Sequence, residues 1–239
     1  METVQFSTLH LVMKIIQMKL KIAILFSFLL IQFYAVCQEY NVTGESLNKA
    51  INISERAVEL INNQNVEEAL PLLNQAIEIA PSLREPYLYY YRIALTNSKH
   101  LDFCIDKMKK AKQIFQEDDE LCYYLGEMYR KKGELKRAMV EYSTAIAYSK
   151  KNGEDFYLVP HYYFNRANIS LKNNLFNSAV LDYTYAIKLK PNYGIAYVNR
   201  GICWFQKGDK ESACKDWQSA VDLGAMQAEE YLERNCKEQ

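Results

Sequence analysis

The feature that most restricts what this chain can become is a repeat at a fixed spacing of 34 residues. The segment Tyr163–Pro191, YFNRANISLKNNLFNSAVLDYTYAIKLKP, lies over Tyr197–Ala225, YVNRGICWFQKGDKESACKDWQSAVDLGA, without a gap. Tyr163 falls on Tyr197, Asn165-Arg166 on Asn199-Arg200 and Ala167 on Gly201; further on, Ala179 falls on Ala213, Tyr183 on Trp217 and Ala186 on Ala220. A period of this length describes one supersecondary unit that cannot bury its apolar face alone and must stack on copies of itself. With 8 glycines and 5 prolines in 239 residues, the chain lacks the turn residues an all-β fold would need. The unit is therefore expected to be helical.

The same phasing recurs upstream. Leu125-Gly126 and Tyr129, then Ala138, Tyr142 and Ala145, form a third copy. Ala57 and Leu60, then Ala69, Leu73, Ala76 and Pro81, form a fourth, and Tyr87, Tyr91, Cys104, Met108 and Ala111 a degenerate fifth. An alanine, an aromatic four residues on and a second alanine three beyond share one helical stripe. The alanines let helices approach and the aromatic fills the space between them. Gly133, Gly208 and Asn174 sit in phase where a helix pair must turn through left-handed dihedrals, while Pro81 and Pro191 end second helices.

This pattern resembles the tetratricopeptide repeat, W-x2-L-G-x2-Y followed by A-x3-F-x2-A and P. The resemblance implies an all-α, right-handed solenoid of about five helix-turn-helix units, at residues 50–83, 85–118, 119–152, 160–193 and 194–227. The C-terminal segment 228–239 reads as a polar-backed capping helix, which a solenoid's last unit requires. Three departures stand out. Seven extra residues, Gly153–Val159, interrupt the period; the second unit lacks the turn glycine and the alanine–aromatic pair; and Pro71 inside a second helix predicts a kink or a lost hydrogen bond.

Residues 1–37 read as a secretory signal peptide. Lys19 and Lys21 precede the apolar run Ile22–Val36, and Ala35 and Cys37 are the small residues before a cut after Cys37. An uncleaved anchor and lipidation of Cys37 are the alternatives. The signal begins at Met18 or Met13, making residues 1–17 a candidate mis-set start, and 38–49 reads as a linker. The formal charge of the whole chain is zero, and losing Lys14, Lys19 and Lys21 with Glu2 leaves the remainder weakly acidic. That is no footprint of a nucleic-acid binder.

Residues with catalytic potential are few. Beyond the signal only His100 and His161 remain, no metal-ligand spacing, phosphate loop or nucleophile elbow occurs, and neither a cofactor nor enzymatic activity is expected. Cys214 and Cys236 lie at comparable distances on either side of Gly224 and would meet in a helical hairpin. Cys203 is a rival partner for Cys214, and free buried thiols are the third reading. Cys104 and Cys122 occupy helix-face positions suited to small core residues.

The family resemblance implies that the first helix of each pair lines a concave groove holding a peptide or partner protein. The matching positions are Tyr123, Glu127 and Arg130, then His161, Phe164, Asn165 and Asn168, then Val198, Asn199 and Ile202. Asparagine amides both donate to and accept from a peptide backbone, although the Asn-Arg pairs would equally serve to fix neighbouring repeats. On the binding reading, replacing Asn168 and Asn199 by alanine weakens partner capture and leaves melting unchanged. Asn168 and Asn199 match the asparagines of the family's carboxylate clamp, but Phe164 stands where its first lysine belongs, so a clamp is not expected. Tyr89, Tyr90 and Tyr91 cannot share one helix face, and at least one is expected to be exposed.

The expected function is a non-catalytic scaffold for a protein or peptide partner in the cell envelope of a Gram-negative bacterium. The alternative is an accessory module for regulating or assembling an envelope enzyme or transporter. The bacterial assignment rests on resemblance to short exported repeat proteins of the Bacteroidetes. Membrane association would come only through the targeting segment or lipidation.

Overall fold

The computed structural model describes residues 42–236; the signal, anchor and lipidation readings fall on residues outside that range. Among the described residues there are eleven α-helices, one short 3₁₀ turn and no strand. The helices form five antiparallel pairs: α1 (Gly44–Asn62) with α2 (Val66–Ile79), α3 (Glu85–Thr96) with α4 (Leu101–Ile114), α5 (Asp119–Lys132) with α6 (Leu135–Asn152), α7 (Val159–Lys172) with α8 (Phe176–Leu189), and α9 (Gly194–Gln206) with α10 (Lys210–Asp222). A last helix, α11 (Gln227–Asn235), covers the C-terminal end by packing on α10.

Each pair packs on the next through the stripe anticipated from the repeat. Ala57, Ala69, Ala138, Tyr142, Ala145, Ala167, Ala179, Tyr183, Ala186, Ala213, Trp217 and Ala220 are all fully buried. Glycine on the first helix is a matter of space. A Cβ on Gly126 would lie 2.7 Å from the Tyr142 ring, and one on Gly201 would lie 2.5 Å from Trp217 Nε1. The aromatic of the second helix thus sits directly on the bare backbone of the first. In the degenerate second unit Cys104, Met108 and Ala111 keep the same spacing and are equally buried, so sulfur-bearing side chains fill the place of alanine and aromatic.

The turns follow the sequence where it signals them. Gly133 and Gly208 adopt φ 84°, and Asn174 adopts 59°. The first unit turns on Gln64 at φ 63°, a residue that gives no turn signal. The second uses no left-handed residue: Asn97 accepts from the Lys99 amide at 3.0 Å and opens the 3₁₀ turn Ser98–His100.

One expectation is corrected. The segment 38–49 is not wholly linker, because α1 already starts at Gly44, where the Thr43 hydroxyl accepts from the Ser46 amide at 3.2 Å. Pro71 costs its helix one hydrogen bond, as expected, without interrupting it: α2 runs from Val66 to Ile79 with the ring exposed to solvent. Its missing amide would have served a first-turn carbonyl on the wet side, where water can substitute. The inserted segment connects the helices: α6, with 18 residues against 14 in α8, ends at Asn152, and residues 153–158 lead to α7 at Val159. That connection is pinned by Glu154, which accepts from the Tyr163 hydroxyl at 2.8 Å and the Tyr185 hydroxyl at 2.6 Å.

The cysteine alternatives resolve to one bridge. Cys214 and Cys236 form a disulfide across 22 residues of chain, and Cys104, Cys122 and Cys203 are buried free thiols. The cap has nine residues and one fully buried side chain, Ala228. A helix that short is marginal by itself, so the bridge holds much of it in place. Cys214→Ser is expected to destabilise the α10–α11 end by about 3 kcal/mol, the cost of reopening a loop of this length. Amide exchange of α11 reads this directly; exchange unchanged on reduction would show that packing alone suffices.

Candidate functional site

The residues expected to line a groove lie on the first helices of units three to five, and most of them are bonded to one another. In α5 Glu127 is 7% exposed. It receives a hydrogen bond from the Tyr142 hydroxyl of α6, one from Asn165 Nδ2 of α7 at 2.8 Å, and a two-pronged contact from Arg130. Asn165 Nδ2 also donates to the Tyr123 hydroxyl at 3.3 Å. One unit on, Asn168 Oδ1 takes the place of the carboxylate. It accepts from the Tyr183 hydroxyl at 2.6 Å and from Asn199 Nδ2 at 3.0 Å.

These contacts form a ladder with the repeat's own period. Each node has an acceptor on a first helix, a tyrosine from the partner helix 15 residues on, and an asparagine from the next first helix. The asparagine is 38 residues from its acceptor in one node and 31 in the other; the extra seven residues of the insertion account for the difference. Burial and the nearby Glu127 charge push the Tyr142 phenol far above its ordinary range, which keeps it a donor.

The arginines of the Asn-Arg pairs build a second brace. Arg166 grips Asp182 through Nε and Nη2 at 2.8 and 2.7 Å and reaches Ser143 of the preceding unit at 3.1 Å. Arg200 grips Asp216 at the same distances and reaches Thr184 at 3.0 Å. Asp182 and Asp216 escaped the sequence reading, although their in-phase placement directly before the buried aromatics Tyr183 and Trp217 was a usable signal. The pairs therefore fix neighbouring repeats, one of the two roles open to them. Because Tyr183 is fully buried, Asn168→Ala with Asn199→Ala is expected to lower stability by about 1–3 kcal/mol. This departs from the unchanged melting expected of a pure binding role. Urea unfolding of the double variant checks this, and a midpoint unchanged from the parent would return both asparagines to the binding reading.

The remaining positions divide by exposure. Val198 is buried with Trp217 and Ala228 at the C-terminal end, too deep to meet a partner. The Arg130 side chain is 46% exposed while still paired. His161, Phe164 and Ile202 are half-buried. His161 Nδ1 lies 2.8 Å from the Tyr193 hydroxyl, and the Phe164 ring packs 4.8 Å from that of Tyr193. Burial, then the charge of Lys190, lowers the pKa of His161 below the usual histidine value. Of the tyrosine run, Tyr90 is fully buried and donates to Asn74 at 2.9 Å, Tyr91 stacks on Tyr124 at 4.0 Å, and Tyr89 is half-buried. The expectation that one of the three stands exposed is corrected, because the next unit covers Tyr91.

Among the described residues no group of three His, Cys, Asp or Glu side chains is placed to hold a metal ion. No helix of the described residues is long and apolar enough to cross a membrane.

No family model matches the chain. Solved structures share its architecture: YrrB, whose structure is described as a TPR protein with an unusual peptide-binding site, superposes with a TM-score of 0.61 at 20% identity, covering 77% of this chain and 92% of that one. The fold is that of a tetratricopeptide-repeat protein. Yeast Tom70 gives 0.63 at 21% identity over 82% of this chain and 44% of its own, and Pseudomonas aeruginosa pilF gives 0.58 at 14% over 75% and 77%. Among curated proteins, the DnaJ homolog subfamily C member 7 homolog of Dictyostelium discoideum is 37% identical over 76 residues, 32% of this chain and only 14% of that protein. At these identities and coverages the tetratricopeptide fold is what the likenesses share.

Proposed function

We propose that this tetratricopeptide-repeat chain is a non-catalytic scaffold that holds a peptide or partner protein on the face of its first helices. The observation that carries the reading is the bonded ladder from Tyr123 to Asn199. It fixes the spacing of successive first helices before any partner arrives, and a pre-organised surface binds without the entropy cost of ordering itself. YrrB, a TPR protein described as having a peptide-binding site, supports a peptide as one kind of partner. The signal-like segment Lys19–Cys37 supports export, and the resemblance to short exported repeat proteins of the Bacteroidetes supports a bacterial cell envelope as the destination. Crosslinking in the native envelope followed by mass spectrometry tests both parts. A specific partner joined to α5, α7 or α9 is the expected result, and recovery only as a free monomer contradicts it.

A second reading, an assembly accessory for an envelope machine, draws on the likeness to PilW, described as a type IV pilus biogenesis factor, at a TM-score of 0.58. The crosslinked partner's identity separates the two.

A further inference from the structure

At the C-terminal end of the ladder the first-helix face is apolar and open. Asn168 of α7 and Asn199 of α9 are bonded to each other at 3.0 Å, so the helix stripes that carry them lie side by side. Side chains three or four residues from each asparagine share its stripe. Those are Phe164 and Leu171 on α7, and Ile195 and Ile202 on α9, all half-buried. Phe205, one turn beyond Ile202, is 40% exposed. The polar pair in their midst is only partly satisfied. Asn168 Oδ1 accepts from Tyr183 and Asn199, which leaves Asn168 Nδ2 and Asn199 Oδ1 without a hydrogen-bond partner among the described residues. Both atoms are open to solvent, because among the described residues the buried unpaired side-chain polar atom is the Ser54 hydroxyl.

The charge of the first helices changes along the array. α7 and α9 contain no aspartate or glutamate, whereas α1, α3 and α5 contain three, one and three. Two lysines bracket the apolar stretch. Lys172 lies one turn beyond Asn168 and is exposed. Lys190 holds its ammonium 4.6 Å from the centre of the Tyr193 ring, whose hydroxyl meets His161 at the other end of α7. Neither lysine enters an ion pair among the described residues, while Arg166 and Arg200 are committed to Asp182 and Asp216.

From this set we infer that the α7–α9 face receives an extended acidic segment of the partner, with apolar side chains between flanking carboxylates. The inference rests on the scaffold reading and names the partner's chemistry and its place on the face. Apolar side chains of the segment cover Phe164, Leu171, Ile195 and Ile202 and take their remaining surface out of water. A free amide N–H beside a free carbonyl oxygen complements one peptide group. A helical partner has no such group to spare, since its own bonds use them, so the backbone is extended. An acyl chain would strand both asparagine atoms. The carboxylates pair with Lys172 and Lys190. From His161 to Lys172 is about 16 Å along α7, the reach of about five extended residues. The acids of α1, α3 and α5 repel the same segment, which fixes its register at the C-terminal half.

The test uses the full chain and the capped pentapeptide Ac-Glu-Leu-Ala-Leu-Glu-NH2, followed by amide chemical shifts. Its controls replace both glutamates by glutamine, or both leucines by alanine. The acidic peptide is expected to shift Asn168, Lys172, Asn199 and Ile202 saturably, and both controls to bind at least tenfold more weakly. Because Lys172 is exposed, Lys172→Glu is expected to keep the parent's melting temperature. It is expected to weaken the acidic peptide at least tenfold and the glutamine version less than twofold. Equal binding of the glutamine version, unchanged binding by Lys172→Glu, or shifts confined to α1–α5 overturns the proposal. So does laurate, if it moves the same amides and the peptide does not, because the face then holds an anionic acyl chain. Each of these results leaves the scaffold reading standing where envelope crosslinking still captures a protein on the first helices. Crosslinking that captures nothing while the acidic peptide docks removes the scaffold reading instead.

Discussion

Glu127→Ala is expected to destabilise the middle of the array by on the order of 3 kcal/mol. The cost comes from stranding the groups that now donate to the carboxylate. Tyr142 is fully buried and Asn165 partly so, and each loses its acceptor at about 1–3 kcal/mol per group. Arg130, with its side chain 46% exposed, turns to water and adds little. Glu127→Gln keeps an oxygen for the tyrosine and is expected to cost clearly less than alanine. Adding Tyr142→Phe to the alanine variant removes the stranded hydroxyl and is expected to recover part of the loss, a coupling that a double-mutant cycle measures. Urea unfolding followed by far-ultraviolet circular dichroism, run on the parent, these three variants and Tyr142→Phe alone, gives every value needed. An alanine variant within about 0.5 kcal/mol of the parent, the range of ordinary surface substitutions, would show that the ladder contributes nothing.

The same residue shows where sequence reading reached its limit. Glu127 was legible as a position on the partner-facing side of a first helix, because the 34-residue phase assigns every residue a place in the unit. Its chemical state was not legible. A carboxylate at that place either waits for a ligand or accepts from Tyr142 and Asn165, and the choice depends on how the next unit docks, which phase does not specify. The fold was readable for the opposite reason. Gly126 under Tyr142 and Gly201 under Trp217 are pairs within one unit, set by local helix geometry and repeated at the same offset. The Cys214–Cys236 bridge was reachable by counting along a hairpin about Gly224, yet counting could not choose between it and Cys203. The Gln64 turn was unreadable because glutamine carries no dihedral preference; Val66 and Ala69 packing on the first helix impose it.

Trp217→Ala is expected to have the second large effect, about 3–5 kcal/mol, the range for removing a fully buried large aromatic. Its distribution along the chain matters more than its size. Trp217 lies on the bare backbone of Gly201, donates from Nε1 to the Val198 carbonyl at 3.2 Å, and stacks on Tyr231 at 5.1 Å. One side chain therefore joins α9, α10 and α11. In a solenoid each unit is stabilised by its own pair and its immediate neighbours, so the loss is expected to stay at the C-terminal end. Amides of α9–α11 are expected to exchange much faster in the variant, while those of α1–α6 keep their protection. Reducing the Cys214–Cys236 bridge in the parent is expected to loosen chiefly α11, whereas the tryptophan variant loosens α9 and α10 even with the bridge closed, because the disulfide ties α10 to α11. A uniform rise in exchange across all eleven helices would contradict this picture. It would mean that the five units fold as one cooperative block, and that the buried aromatic of the last unit is felt as far away as Ala57.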